Sequence, residues 1–143
     1  MKIEIQKEWF DANIVMRNLN NIYVFGDNLQ RVGNGGQAQI RPCTNTRGVA
    51  TKRYPQMLND SFFSDDLSEL IELTKDIRSL NILHKDRRND HKTLIFPYDG
   101  LGTGLSELSL RSPFINQQLG LMLKFYFNID TNDGGQLSIN EPL

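Results

Sequence analysis

Two glycine-rich stretches, each entered from a short apolar run, constrain this chain most. The first run is Asn21 to Phe25, Asn-Ile-Tyr-Val-Phe, and it leads into the loop Gly26 to Gly36. The second is Thr93 to Phe96, Thr-Leu-Ile-Phe, closed by Pro97 and followed by Tyr98-Asp99-Gly100-Leu101-Gly102-Thr103-Gly104-Leu105. Runs rich in β-branched and aromatic residues that stop at Gly or Pro read as buried strands. A strand that ends in glycines and then meets a helix is the geometry in which backbone N–H groups approach a phosphate, because a side chain would block that approach.

The intervening sequence supplies the helices. Asp65 to Leu83 carries Leu67, Leu70, Ile71, Ile77 and Leu80 near a 3.6-residue period, which predicts an amphipathic helix. Asp66 with Glu69 three residues on has the form of a capping box. Ser112-Pro113 places an N-cap residue before a first-turn proline, and the pattern continues through Ile115, Leu119, Met122, Leu123 and Tyr126. Lys2 to Gln6 alternates as an edge strand does. Trp9 to Leu19 reads as a short helix and Gly48 to Lys52 as a short strand ended by Pro55. Residues 127–143 either fray or add a last strand. Strands alternating with helices argue for a layered α/β domain, and 143 residues suit one domain spanning 1–143.

Charge and composition narrow the function. Sixteen basic residues against seventeen acidic ones leave a net charge of −1, which argues against broad electrostatic attachment to nucleic acid or anionic membrane. No run approaches the roughly 20 apolar residues of a membrane span, and Met1 to Ile5 carries Glu4 where a secretory signal has an apolar core. Cys43 is the only cysteine, so a disulfide within the chain and a cysteine-based zinc site are not expected. His84 and His91 fall in a charged stretch and read as exposed loop histidines. The expectation is a cytoplasmic domain with no metal and no cofactor.

Familiar phosphate and nucleophile motifs do not fit the two loops. Neither is followed by the Gly-Lys-Ser/Thr of a Walker loop. Gly100-Leu101-Gly102-Thr103-Gly104 breaks the spacing of the dinucleotide fingerprint, and no Gly-x-Ser-x-Gly elbow occurs. Taken together, the two loops point to a nucleotide-like ligand; tight turns alone are the plain alternative.

The order of these motifs resembles the macrodomain family, whose α/β fold binds ADP-ribose. In that family an early Asp grips adenine, an Asn at a strand end contacts the distal ribose, and two glycine loops wrap the phosphates. Asp11, Asn28, Gly33-Asn34-Gly35-Gly36 and, after Pro97, Gly102-Thr103-Gly104-Leu105 stand in the matching places. The resemblance runs from about Asp11 to Tyr126. It departs where the family's Asn-Ala-Ala-Asn is here Phe25-Gly26-Asp27-Asn28.

The resemblance implies a three-layer α/β/α domain with a mixed central sheet. It further implies binding of ADP-ribose, or of an ADP-ribosylated substrate; a nucleic acid would be a partner only if it carried ADP-ribose. One branch of the family removes ADP-ribose with a lysine in a Thr-Lys segment, which Val49-Ala50-Thr51-Lys52 resembles. The acid found after the second loop in part of that branch is replaced by Ser106, with Glu107 beside it. Hydrolysis of an ADP-ribosyl bond and capture without turnover both stay open.

Lys52 has three readings: a surface lysine, a phosphate contact, or the nucleophile. Asp27 and Asp99, the carboxylates nearest the loops, either orient a water or ribose hydroxyl or merely stabilise turns. Arg31 and Arg41 flank the first loop; a guanidinium there can pair with a phosphate in a bidentate way, but exposed salt bridging is the preferred reading of each, and Phe96 reads as core.

Overall fold

The computed structural model describes residues 1–140. Its centre is a four-stranded sheet made of β1 (Lys2–Gln6), β2 (Asn21–Asn28), β3 (Thr46–Lys52) and β4 (Thr93–Pro97), in the order β1-β4-β2-β3. Every neighbouring pair in it is parallel, so the mixed sheet expected from the sequence is corrected to an all-parallel one. The reason is connectivity. Each strand is joined to the next by a crossover long enough to return the chain to the same end of the sheet.

Alternate residues of the two central strands feed two cores, as the two-residue repeat of a strand requires. Ile22, Val24, Leu94 and Phe96 face one side, where they pack with Leu73, Ile77 and Leu80 of α2 (Leu67–Lys85) and Ile115, Leu119 and Leu123 of α4 (Pro113–Phe127). Tyr23, Phe25 and Ile95 face the other side, against Phe10, Val15 of α1 (Ala12–Arg17), and Ala38 and Ile40 of a 3-10 turn over Gly36–Ile40. Helices therefore cover both faces of the sheet. Each fully buried aliphatic or phenyl side chain contributes about 1.5–3 kcal/mol relative to exposure.

The helix ends show how local signals were used. The capping box at Asp66 and Glu69 forms, and Glu69 also takes the guanidinium of Arg53. Ser112 does precede α4, but its hydroxyl does not cap it. That task falls to Asp65. Its carboxylate accepts from the Ile115 amide at 3.0 Å and the Ser112 hydroxyl at 2.6 Å, with the Asp65 backbone itself left-handed at φ 60°. His84 is not a loop residue. It lies in the last turn of α2 and packs edge-on to Phe127, ring centroids 5.8 Å apart, and burial lowers its pKa.

After the four-residue α3 (Leu108–Arg111) and α4, the tail forms an antiparallel pair, β5 (Ile129–Thr131) with β6 (Leu137–Ile139). It neither frays nor joins the main sheet as far as residue 140; residues 141–143 lie outside the described part. No described helix is long and apolar enough to cross a membrane.

Candidate functional site

β2 and β4 lie side by side and run the same way, so the loops that leave them emerge together at the carboxyl end of the sheet, where α/β folds bind ligands. The two loops line one cavity of about 550 Å³. Gly26, Asp27, Asn28, Gly33, Gly35 and Gly36 form one wall, and Gly102, Thr103, Gly104, Leu105 and Ser106 the other. Lys52 stands at the end of β3, Asp99 follows β4, and Trp9 sits on the rim.

What the loops offer this cavity is main-chain N–H. None of the amides from Leu101 to Ser106 donates to a main-chain acceptor, and neither do those of Gly33, Asn34 and Gly35. Leu101 and Gly102 are buried all the same. Buried amides are nearly always paired; Gly33, Asn34, Gly35, Thr103, Gly104 and Leu105 are exposed, so their N–H groups are open to water or to the acceptors of a ligand. Gly36 reaches its place with φ 57°, and a Cβ on it would lie 3.5 Å from Cδ1 of Leu105, the residue that brings the second loop against the first.

The loops are held in position by two side chains that the sequence did not single out for this work. The Gln37 amide accepts from the Gly26 N–H at 2.7 Å and donates to the Gly100 carbonyl at 2.8 Å, stapling the end of β2 to the second loop. Arg41 forks onto Asp27, at 3.0 and 2.5 Å, and its Nε donates to the Gly33 carbonyl at 2.9 Å. Salt bridging was the expected role of Arg41 and Arg31, and both serve it. Arg31 lies 3.5 Å from Asp27 and binds Asp76 at 2.8 Å. Asp76 in turn accepts from the Ala50 amide on the outer edge of β3.

The expected site residues fare differently. Asp27 is buried and its oxygens are taken by Arg41 and the Asn28 amide, so it organises the first loop and is no free base. Asn28 lines the cavity, but it closes a turn of its own loop, donating to the Val32 carbonyl at 2.7 Å and accepting from the Gln30 amide at 3.0 Å. Asp11 does not line the cavity. It caps α1 by accepting from the Ile14 amide at 2.9 Å. Asp99 lines the cavity with its carboxylate outside every hydrogen bond and ion pair among the described residues; only its main-chain carbonyl is engaged, by the Thr103 hydroxyl at 2.7 Å.

Lys52 is no surface lysine. It is 5% exposed, with Nζ 5.0 Å above the Phe62 ring and 3.1 Å from Met57 Sδ. No carboxylate of the described residues pairs with it. Burial lowers its pKa, and the field of Glu107 opposes that only in part. Beside it, Thr51 and Ser106 share a hydroxyl hydrogen bond of 2.7 Å, which ties β3 to the second loop.

Three contributors to the cavity could not be found from local sequence. Trp9 comes from the segment after β1, and Gly134 and Gln136 from the turn between β5 and β6. Only the alternation of an outward Trp9 with an inward Phe10 hints at the first.

Among the described residues no three His, Cys, Asp or Glu side chains are grouped as a metal would need. No curated protein and no solved structure matches the chain. Residues 5–121 match a family of unknown function, DUF7831, and the chain belongs to that family.

Proposed function

We propose that the cavity binds ADP-ribose or a closely related nucleotide, in the manner of a macrodomain. The observation that carries this reading is the pair of unpartnered N–H runs on facing walls of one cavity. Main-chain donors at fixed spacing suit the oxygens of a pyrophosphate, and a cavity of this size lies in the range of small-molecule sites. Helices on both faces of the sheet agree with the layering that the resemblance implies, while the all-parallel sheet departs from the mixed sheet that it implies. Calorimetry with ADP-ribose and AMP tests the reading. ADP-ribose, with its second phosphate and distal ribose, is expected to bind more tightly. Equal affinity, or none for either, refutes it and favours loops that act only as turns in an interaction domain.

Lys52 favours a second reading, hydrolysis of an ADP-ribosyl bond. A lysine attacks as a neutral amine, and the lowered pKa supplies that form more readily than a solvated lysine would. The Nζ lone pair would attack C1 of the distal ribose while the bond to the leaving group breaks with its electron pair. The proton shed by the amine passes to the leaving group. Ring opening gives an imine that water hydrolyses or borohydride reduces. Turnover that vanishes in Lys52→Ala, together with a borohydride-trapped adduct on the wild type alone, supports the enzyme. A Lys52→Ala variant that binds more weakly, with no adduct on either protein, supports capture.

A further inference from the structure

Trp9 presents an unusual surface. It is the chain's single tryptophan, half exposed, and it stands on the wall of the main cavity and of a narrow crevice beside it. The residues around it hold it there. Phe10 is buried against Tyr23, ring centroids 5.1 Å apart, and Asp11 caps α1. With Phe10 turned in and the helix fixed behind it, Trp9 points out from a braced segment. Asp99 and Gln37 border the same two spaces, and Gln37 has both ends of its amide engaged. Among the described residues that border both spaces, Asp99 is therefore the polar side chain whose acceptors remain free; Glu8, whose carboxylate is likewise unpaired, lines the crevice alone.

The strand order sets the direction of the cavity. Trp9 follows β1 and Lys52 ends β3, the two outer strands of the sheet, with the glycine loops of β4 and β2 between them. At ~4.8 Å per strand, the cavity spans on the order of 14 Å from one end to the other. An aromatic face, two amide-lined loops and a buried amine thus follow one another in a row. Resting on the nucleotide reading above, we propose that Trp9 and Asp99 form the base-recognition end of the cavity. Trp9 stacks on a purine, Asp99 accepts from its exocyclic amine, and the rest of the ligand runs over the two loops toward Lys52. Asp11, turned to its helix, takes no part in reading the base.

The single tryptophan makes the test direct. Its fluorescence reports on Trp9 alone, and it is followed while the full chain is titrated with ADP-ribose, with the ADP-ribose analogue whose purine lacks the 6-amino group, and with ribose 5-phosphate. ADP-ribose is expected to change the emission and ribose 5-phosphate to leave it unchanged. By calorimetry, Trp9→Ala is expected to weaken ADP-ribose by about 10- to 100-fold, the range of one base–aromatic stack, and Trp9→Phe to restore part of the loss. Asp99→Ala is expected to weaken ADP-ribose several-fold and the deamino analogue not at all. If the wild type binds none of these ligands, the nucleotide reading falls and this proposal with it. If ADP-ribose binds but Trp9→Ala matches the wild type, or Asp99→Ala weakens both purines equally, base recognition lies elsewhere while the nucleotide reading stands.

Discussion

Gly48→Ala tests whether the first loop depends on a buried charge. Gly48 lies in β3 beside Phe25 of β2, and its backbone is outside the left-handed region, so alanine is tolerated conformationally. A Cβ there would stand 2.9 Å from Cβ and 3.0 Å from Cγ of Asp27, and closer still to Oδ2. The Asp27 side chain is 3% exposed and fixed by Arg41 and the Asn28 amide, so it cannot yield without leaving its partners. Stranding one member of a buried pair costs about 3–5 kcal/mol. Arg41 keeps some contact with solvent, which lowers the expected cost to roughly 2–4 kcal/mol. For a chain of this size that is a fall in Tm of about 5–15 °C, read by denaturant and thermal unfolding. The same methyl in an Asp27→Gly background meets neither the carboxylate nor the Asp27 Cβ and is expected to cost under ~0.5 kcal/mol, a strongly coupled pair. If Gly48→Ala costs the same in both backgrounds, the clash is not with Asp27 and the account of the loop is wrong.

Three further outcomes follow from the geometry. Gly35→Glu is expected to abolish ADP-ribose binding in calorimetry while changing stability by less than ~1 kcal/mol, since Gly35 is extended and a Cβ there makes an ordinary contact with Leu105. Gly36 is the poorer probe, because φ 57° strains any other residue by about 1–2 kcal/mol. Asp65→Ala removes the acceptor at the start of α4 and puts alanine at φ 60°, and is expected to cost roughly 1–4 kcal/mol in urea unfolding. At high pH, Lys52 has a folded pKa below 10.5 because it is buried. Between that value and 10.5 the unfolded chain holds a proton that the folded chain has released, so stability rises with pH across this window. Lys52→Met is expected to remove that rise in unfolding measured from pH 8 to 10.5.

The elements whose cause is local were legible in the sequence. β2 and β4 announced themselves through apolar runs cut off by glycine and proline, and α2 through a capping box that forms as written. Elements whose cause is distant were not. The Asp65 carboxylate caps a helix that starts 48 residues further on; Ser112 looked like the cap because it is adjacent. Strand order is a matter of which crossovers pack on which face, and no window of residues carries it, so the all-parallel sheet was missed. The turn between β5 and β6 is seated at the cavity by distant partners, among them the Tyr98 carbonyl, to which Leu137 donates at 2.9 Å, a pairing across 39 positions.

The two carboxylates at the loops show why site chemistry is harder to read than site location. Asp27 and Asp99 look alike in sequence: each follows a buried strand and opens a glycine loop. What separates them is the availability of lone pairs. Asp27 meets a guanidinium supplied by Arg41, fourteen residues on, and that fork together with the Asn28 amide takes three of the roughly four acceptor sites of its buried carboxylate. Asp99 meets no cation and keeps its acceptors. The difference lies in the partner, which a residue's own neighbourhood does not encode. Lys52 is the converse case. Its Thr-Lys motif suggested a role, but the motif says nothing of a lowered pKa. That comes from burial: Phe62 and Met57 lie against the amine, no carboxylate pairs with it, and the field of Glu107 offsets the burial only in part. Burial of that kind disfavours the charged form of the amine, and it is set by residues that stand after Lys52 in sequence but gather around it only in the fold.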